Sequence, residues 1–217
     1  MLSTIKSAVL GTGLSLASFA ASAQATMKDI VTKPDLPLTF MGVDFSGTRY
    51  FGDPGTVSPT EMKGLFTRID DLMVKEADKY DLAKALHRNS VSYNISIAES
   101  VNEKIDPGTI ISADKGLRNR FTAEKVAEQV KRYTYPAGSS GTGMMFVVED
   151  LVKSEELTVF WVTFVDMATK KVIYTEKIGG TAGGFGFRNH WAGGIYDALK
   201  SIKSTKYANW KKRFAKG

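Results

Sequence analysis

The feature that most constrains the fold is a β-rich stretch in the second half of the chain. Residues 144–152, 157–167 and 171–178 are rich in β-branched and aromatic side chains, and only a few residues separate them. Breaks this short suit hairpin turns, since parallel strands need a connection of a dozen or more residues. The stretch therefore predicts a three-stranded antiparallel meander.

Other periodic segments lie on both sides of this predicted meander. Residues 40–45 predict a first buried strand, and the alternation of apolar and polar residues over 91–97 predicts a half-exposed strand. Apolar residues at helical spacing predict amphipathic helices over 58–77, 122–133 and 189–202, the first of them with a capping box at its start.

This order of elements predicts an α/β fold. We expect an α+β sandwich with a mixed, largely antiparallel sheet and about three packed helices. No internal repeat or clear linker divides the chain. The predicted divisions are a signal peptide at 1–25, an extended N-terminal arm at 26–38, a single α/β domain at 39–203 and a basic C-terminal tail at 204–217.

The first residues of the chain predict export. A single charge, Lys6, precedes an uncharged run of small and apolar residues over 8–21, and Ala21, Ala23 and Ala25 offer two overlapping cleavage sites. The run is short and rich in Gly, Ser and Thr, which does not favour a transmembrane anchor. We expect cleavage near Ala23 or Ala25, which would give a periplasmic or secreted mature protein.

The absence of cysteine and the distribution of charge exclude several classes of function. With no cysteine in the chain, disulfides, thiol nucleophiles, thiolate metal sites and a cysteine-linked lipid anchor are excluded. The net charge of +6 comes from the chain ends, because 21 basic and 23 acidic residues remain without Lys6 and the basic residues after Asp197. A body this close to neutral argues against nucleic acid as a partner.

A glycine-rich run lies between the third strand of the predicted meander and the last predicted helix. Residues 179–194 contain seven glycines, but their spacing matches neither GxGxxG nor GxxxxGK[ST]. Two interpretations of the glycine-rich run therefore remain. It is either an anion- or nucleotide-binding loop, or a mobile or closely packed crossover from strand to helix. Contact-prone side chains make this loop the predicted surface for a ligand or partner, and they are Phe185, Phe187, Arg188, His190 and Trp191.

The C-terminal segment, residues 200–216, combines seven cations with three aromatic residues. Anionic membrane surfaces and polymers select this composition. The competing interpretation is a helix end whose cations favour the C-terminal dipole and whose aromatic rings pack on the body. The candidate contacts with an anionic surface are Lys206, Trp210, Lys211, Lys212 and Arg213.

Signals for catalysis are weak, and no catalytic residue, metal site or cofactor is predicted. His87 and His190 lie far apart and show no metal-ligand spacing, which favours structural roles. Asp44 and Asp166 follow apolar strand residues and are expected to accept hydrogen bonds from the turns after them. A ligand or enzyme site would form if the fold brings four polar residues together. They are Asp44, Arg49, Arg188 and His190.

Two segments together resemble the CsgG/LpoB-type envelope domain. One is V-D-F-S-G at 43–47, and the other is the hairpin at 160–174, in which Asp166, Thr169 and residues 170–171 match the pattern between two apolar strands. The resemblance implies an α/β sandwich of the kind found in periplasmic and outer-membrane assembly factors, which act as binding or scaffold modules. Neither lipid anchoring nor pore formation is implied, because the lipobox cysteine and a pore-forming insertion are missing.

The expected function is therefore that of an exported, non-catalytic binding or scaffold protein of the bacterial cell envelope, with another envelope protein as its partner. One alternative is a periplasmic small-ligand-binding protein or an enzyme with an unrecognised site. Another is adhesion to an anionic surface through the tail. No nucleic-acid partner, cofactor or membrane-spanning segment is expected.

Overall fold

One mixed sheet of six strands lies at the centre of the protein. The structure, a computed structural model, describes residues 24–216, so the predicted signal peptide at 1–25 lies outside the described residues except for its last two positions. In chain order the strands are β1 (Leu38–Asp44), β2 (Arg49–Phe51), β3 (Ser92–Tyr93), β4 (Thr142–Val152), β5 (Leu157–Asp166) and β6 (Lys171–Thr181).

The predicted meander is confirmed and forms the three longest strands of the sheet. β4 pairs antiparallel with β5, and β5 pairs antiparallel with β6. β1 lies parallel to β4 on its other side, which gives the strand order β3-β1-β4-β5-β6. Successive residues of β4 point to opposite faces, Met144 into the larger core and Met145 into the smaller one, so helices pack on both faces.

β1 and β2 lie end to end along the same neighbour, β4. β1 pairs with β4 as far as Asp44, and β2 pairs with β4 from Arg49 onward. Residues 45–48 between them form no strand pairing with β4. The Thr48 hydroxyl supplies one contact in this interval by donating to the carbonyl oxygen of Val148 at 2.9 Å. The sheet therefore has a gap between two collinear strands.

The three predicted helices are present as α2, α5 and α6, with bounds shifted by a few residues. The first begins at the predicted capping box, in which Ser58 and Glu61 each accept a hydrogen bond from the other's backbone amide. A π-helix, Ile202–Lys206, joins the last two helices. In chain order the α-helices are α1 (Met27–Thr32), α2 (Pro59–Lys75), α3 (Leu82–Ala85), α4 (Ser96–Asn102), α5 (Ala123–Lys131), α6 (Gly186–Ser201) and α7 (Tyr207–Phe214).

The strand predicted over 91–97 is wrong beyond its first residues. Only the two residues of β3 pair with β1, and α4 starts two residues later. In place of a longer neighbouring strand, the Asn102 amide group accepts from the Phe45 amide and donates to the Val43 carbonyl oxygen, each at 2.8 Å. Because buried backbone groups need partners, this side chain allows β1 to remain buried where β3 ends.

Both described ends of the chain contain a helix: α1 replaces much of the predicted extended arm at 26–38, and α7 lies within the basic tail predicted at 204–217. Thr26 heads a capping box for α1 that was missed in the sequence. α7 packs against α1, and the Tyr207 hydroxyl donates to the Val31 carbonyl oxygen at 3.0 Å. The two ends therefore form part of one folded body with the sheet.

A buried carboxyl group on α2 supports the outer edge of β1. Asp70 is fully buried, and its Oδ1 accepts from the Val43 amide at 2.9 Å, whereas its Oδ2 has no hydrogen-bond partner. Burial raises the pKa of Asp70 well above its ordinary value, opposed by that hydrogen bond. A Cβ at Gly42, where φ is +102°, would lie 2.8 Å from Oδ2, so this approach requires glycine.

We predict that replacing Asp70 with asparagine makes the protein relatively more stable as the pH rises. An acid whose pKa is raised by folding contributes most at low pH, and that contribution is lost as the pH rises through the folded pKa. Asn keeps an acceptor for the Val43 amide but does not ionise. In urea denaturation, the free energy of unfolding of Asp70→Asn minus that of wild type should increase from about pH 4 to about pH 7.

The control for this experiment is Asp71→Asn, which removes a negative charge from the exposed side of the same helix, where Asp71 pairs with Lys75 at 2.7 Å. A difference in the free energy of unfolding between Asp70→Asn and wild type that stays constant or shrinks as the pH rises would contradict a pKa of Asp70 raised by burial.

Candidate functional site

A cleft opens at the gap between β1 and β2. The cleft has a volume of about 650 Å³. It is lined by the gap itself, by residues 101–109 at and after the end of α4, and by residues 120–133, which include α5. Charge dominates the lining, with five basic residues against one acidic residue. The basic residues are Arg49, Lys104, Arg120, Lys125 and Arg132, and the acidic residue is Glu128.

The inner wall of the cleft is held by the carboxylate at the end of β1. Asp44 is fully buried, and its Oδ1 accepts from the Ser46 amide at 2.7 Å, as the predicted turn role requires. Its Oδ2 accepts from the Gln129 amide group and from the Tyr133 hydroxyl, both on or just after α5. Burial, followed by the Asp44 charge, raises the pKa of Tyr133 well above its ordinary value, so the phenol stays a donor.

The outer wall of the cleft, residues 118–121, is tied to the sheet by two carboxylates at a bulge in β4. The register of β4 against β5 shifts at this bulge. Glu149 is fully buried and accepts hydrogen bonds from the Phe121 amide and, at 3.0 Å, from the Trp161 indole N–H. Asp150 accepts from the Asn119 amide at 3.0 Å. These bonds fix a segment that has no regular secondary structure.

Arg120 crosses the gap and is the most constrained cation of the cleft. Its guanidinium group donates to the carbonyl oxygens of Gly47 and Leu117 and lies 3.5 Å from an Asp150 oxygen. Burial lowers the pKa of Arg120, and the positive charge of Arg49 lowers it further. Asp150 and Glu149 oppose this effect, so carboxylates behind the cleft wall partly balance the positive charge of Arg120.

The rim of the cleft comes largely from one polar face of α5. Lys125, Glu128, Gln129 and Arg132 follow the i, i+3, i+4, i+7 spacing of a single helix face. Lys125, Glu128 and Arg132 are exposed, and Lys104 adds a further exposed cation from the segment after α4. A partly enclosed site with an excess of positive charge raises the local concentration of anions.

The predicted contact loop divides into an exposed tip and a buried base. The Phe185 side chain is 95% exposed, whereas Trp191 is only 2% exposed and belongs to the larger core. Phe187 is half-buried, with its ring 5.9 Å from that of Tyr50. Trp191 and Phe187 therefore pack with the core, but both also line the depression beside His190, so their predicted part in a contact surface stays a prediction.

The glycines of this loop serve close packing between β6 and α6. A Cβ at Gly180 would lie 1.9 Å from the carbonyl oxygen of Gly194, and a Cβ at Gly193 would lie 2.1 Å from that of Gly183. Contacts this short require glycine whatever the backbone angles. Of the two interpretations of the glycine-rich run, the closely packed crossover accounts for these positions.

The C-terminal residues offer less to an anionic surface than their composition suggests. Trp210 is 2% exposed and donates its indole N–H to Glu176, and Lys206 pairs with the same carboxylate at 2.6 Å. Lys211, Lys212 and Arg213 remain exposed. The exposed cations therefore lack the neighbouring exposed Trp that would enter a membrane interface.

The four polar residues weighed as a possible joint site are not brought together. Asp44 and Arg49 lie at the basic cleft, but His190 lines a separate depression that also includes Lys153. Arg188 lines neither and donates to the neighbouring Asn189 side chain at 3.1 Å.

His87 and Asp166 have structural partners, whereas Nε2 of His190 is buried without a hydrogen-bond partner. His87 stacks on Tyr207 with ring centroids 4.4 Å apart, and the His190 ring meets Trp191 edge-on at 4.8 Å. Asp166 accepts from the Thr169 amide at 2.7 Å, which is the predicted turn contact.

Over residues 24–216, no group of three or more His, Asp and Glu side chains is placed to hold a metal ion. No helix in the same span has the length and apolar character needed to cross a membrane.

Known proteins provide no family for this chain. No protein-family model matches it, and no curated protein matches it. Among solved structures it is similar to the C-terminal domain of LpoB from Salmonella enterica, with 11% identity, a TM-score of 0.29, and coverage of 71% of this chain and 94% of that domain. At this TM-score the likeness assigns neither a family nor a function.

Proposed function

We propose that this chain is an exported, non-catalytic binding protein of the bacterial cell envelope that holds an anionic ligand in the basic cleft. The observation that carries the proposal is the charge of the lining, with five basic residues and one acidic residue around about 650 Å³. This volume lies within the range of small-molecule sites, roughly 300 to 1,000 Å³.

The fixed inner groups of the cleft support selective binding. The Gln129 amide group is oriented by Asp44 and also donates to the Ser46 hydroxyl at 3.1 Å. The Arg120 guanidinium is oriented by backbone oxygens. A ligand therefore meets groups that are already in place, so less conformational entropy is lost on binding.

The hydrogen-bonding groups of the lining support a binding role. The Ser46 hydroxyl accepts from the Gln129 amide group at 3.1 Å. Tyr133, with its raised pKa, donates to Asp44 and does not act as a base near neutral pH. The groups present thus suit recognition of charge and hydroxyls.

Location in the cell envelope rests on the leader pattern of residues 1–25. An uncharged run of small and apolar residues ends in two overlapping small-x-small sequences. An exported protein with a preformed anion site would meet its ligand in the periplasm or at the envelope surface.

A second candidate function, contact with another envelope protein, is favoured by the exposure of Phe185. This ring is 95% exposed at the tip of the loop before α6, between Gly184 and Gly186. Exposed aromatic side chains are frequent anchors of protein interfaces. On this proposal the tip, without Trp191, forms the contact.

To test the anion-binding function, we predict that the protein expressed with its own leader and purified from the periplasm binds at least one of citrate, glucose 6-phosphate and pyrophosphate. Calorimetric affinity should weaken between about 50 and about 200 mM salt. It should fall about tenfold in the double variant Lys104→Gln/Arg132→Gln, since two charge contacts of about 0.7 kcal/mol each would be lost.

The matched control is Lys211→Gln/Lys212→Gln, which removes the same charge from the exposed face of α7. This control should change the affinity less than about twofold. Equal losses in the two double variants would contradict the cleft as the site, and the absence of binding to all three anions would contradict the function.

For the second candidate, a photo-crosslinking amino acid at position 185 should yield one discrete protein adduct in intact cells, identified by mass spectrometry. Position 117 is the control, because Leu117 is also an exposed apolar residue, at 39%. The same adducts from both positions, or none from position 185, would contradict a contact through the tip.

A further inference from the structure

Two arginine side chains line the cleft at the gap in the sheet, and each donates to a backbone oxygen of residues 47–48. Arg49 is the first residue of β2, and Arg120 reaches the same cleft from the opposite wall. The positive charge of Arg49 contributes, after burial, to the lowered pKa of Arg120. Asp150, 3.5 Å from the Arg120 guanidinium, and Glu149 offset part of this repulsion, and an anion bound beside both arginines would offset more of it.

Both guanidinium groups are held in position by the backbone. Arg49 donates from Nη1 to the Thr48 carbonyl oxygen at 3.0 Å, and Arg120 donates from Nη1 to the Leu117 carbonyl oxygen at 3.0 Å and from Nη2 to that of Gly47. Each guanidinium has five N–H donors, so donors remain for a ligand. Their orientation is set before binding, which lowers the entropy cost of each new bond.

A pair of guanidinium forks suits phosphate better than carboxylate. A carboxylate has two oxygens, which one fork occupies, whereas the oxygens of a tetrahedral phosphate can meet two forks from different directions. Lysine offers a point charge without this geometry. The two inner basic residues are arginines, whose forks suit phosphate oxygens. The rim residues Lys104 and Lys125 add positive charge without that geometry.

The cleft is much larger than a phosphate group, and the rest of its lining is polar. Ser46, Thr109 and Gln129 offer hydroxyl and amide groups, and the ring of Phe121 offers an apolar face. The Glu128 carboxylate repels a bare polyanion but accepts hydrogen bonds from hydroxyl groups. The space beside the two arginines therefore suits a hydroxyl-bearing body attached to the phosphate.

We propose that the cleft binds a phosphate ester of a polyhydroxylated small molecule, with the phosphate between Arg49 and Arg120 and the hydroxyl groups against Glu128 and Gln129. This assignment rests on the proposed anion-binding function and narrows it to one ligand class. The phosphate ester has two possible sources, a free sugar or glycerol phosphate and the headgroup of a phospholipid.

The test compares glucose 6-phosphate and glycerol 3-phosphate with inorganic phosphate, glucose and citrate by calorimetry on the protein purified from the periplasm. At least one of the two esters should bind at least about tenfold more tightly than inorganic phosphate or citrate, and glucose should not bind. Flotation with vesicles of phosphatidylglycerol, set against vesicles of phosphatidylcholine, distinguishes the lipid source from the soluble one.

The decisive variants keep the charge and change the geometry. Arg49→Lys/Arg120→Lys should lower the affinity for the bound ester at least about tenfold while changing that for citrate less than about threefold. Arg49→Lys alone is the second variant, because the one hydrogen bond described for its side chain goes to the adjacent residue, and it should show the same selective loss. Arg68→Lys/Arg213→Lys, both at exposed positions, is the control.

Each outcome decides the proposal. Selective loss of a soluble ester in the lysine variants supports it with a soluble source, and selective loss of phosphatidylglycerol vesicle binding supports it with a lipid source. Citrate or inorganic phosphate binding as tightly as the esters would overturn the ligand class and leave the anion-binding function standing. If none of these anions and no vesicle binds, both the ligand class and the anion-binding function are wrong.

Discussion

The structure depends on the pairing of buried backbone groups at the end of β1, where the neighbouring strand stops. Asn102 from α4 and Asp70 from α2 take the place of a strand there, and Asp44 at the end of β1 binds α5 in turn. Unpaired buried N–H and C=O groups each cost about 1 to 3 kcal/mol. The same bonds therefore stabilise β1 and set three helices in fixed positions around it.

The cleft is a direct result of how this strand ends. Because β1 stops before β2 begins along β4, residues 45–48 leave the sheet and open a space that a continuous strand would close. Glu149 and Asp150, both fully buried at the bulge of β4, hold the opposite wall. A chain whose body is nearly neutral in total thus concentrates five cations at one place.

Sequence patterns correctly predicted the strands and helices that depend on residues close together in the chain. The meander follows from alternation and short turns, and the start of α2 follows from Ser58 and Glu61. Past the end of β3, the backbone of β1 is paired by Asn102, which is distant from it in sequence, so the alternation over 91–97 was misleading. Trp191 and Trp210 were interpreted as contact residues because composition does not show which face of a helix is buried.

The basic cleft was missed because its residues come from three separated segments, 46–49, 101–109 and 120–133, and a count of charges averages over them. The spacing of Lys125, Gln129 and Arg132 on one face of α5 was the available local signal. The most direct test of the account is an NMR titration of the labelled protein with glucose 6-phosphate. Saturable shifts should appear at the amides of Gly47 and Phe121 and not at those of the loop before α6, whereas no shifts, or shifts confined to α7, would contradict a phosphate ester bound in the cleft.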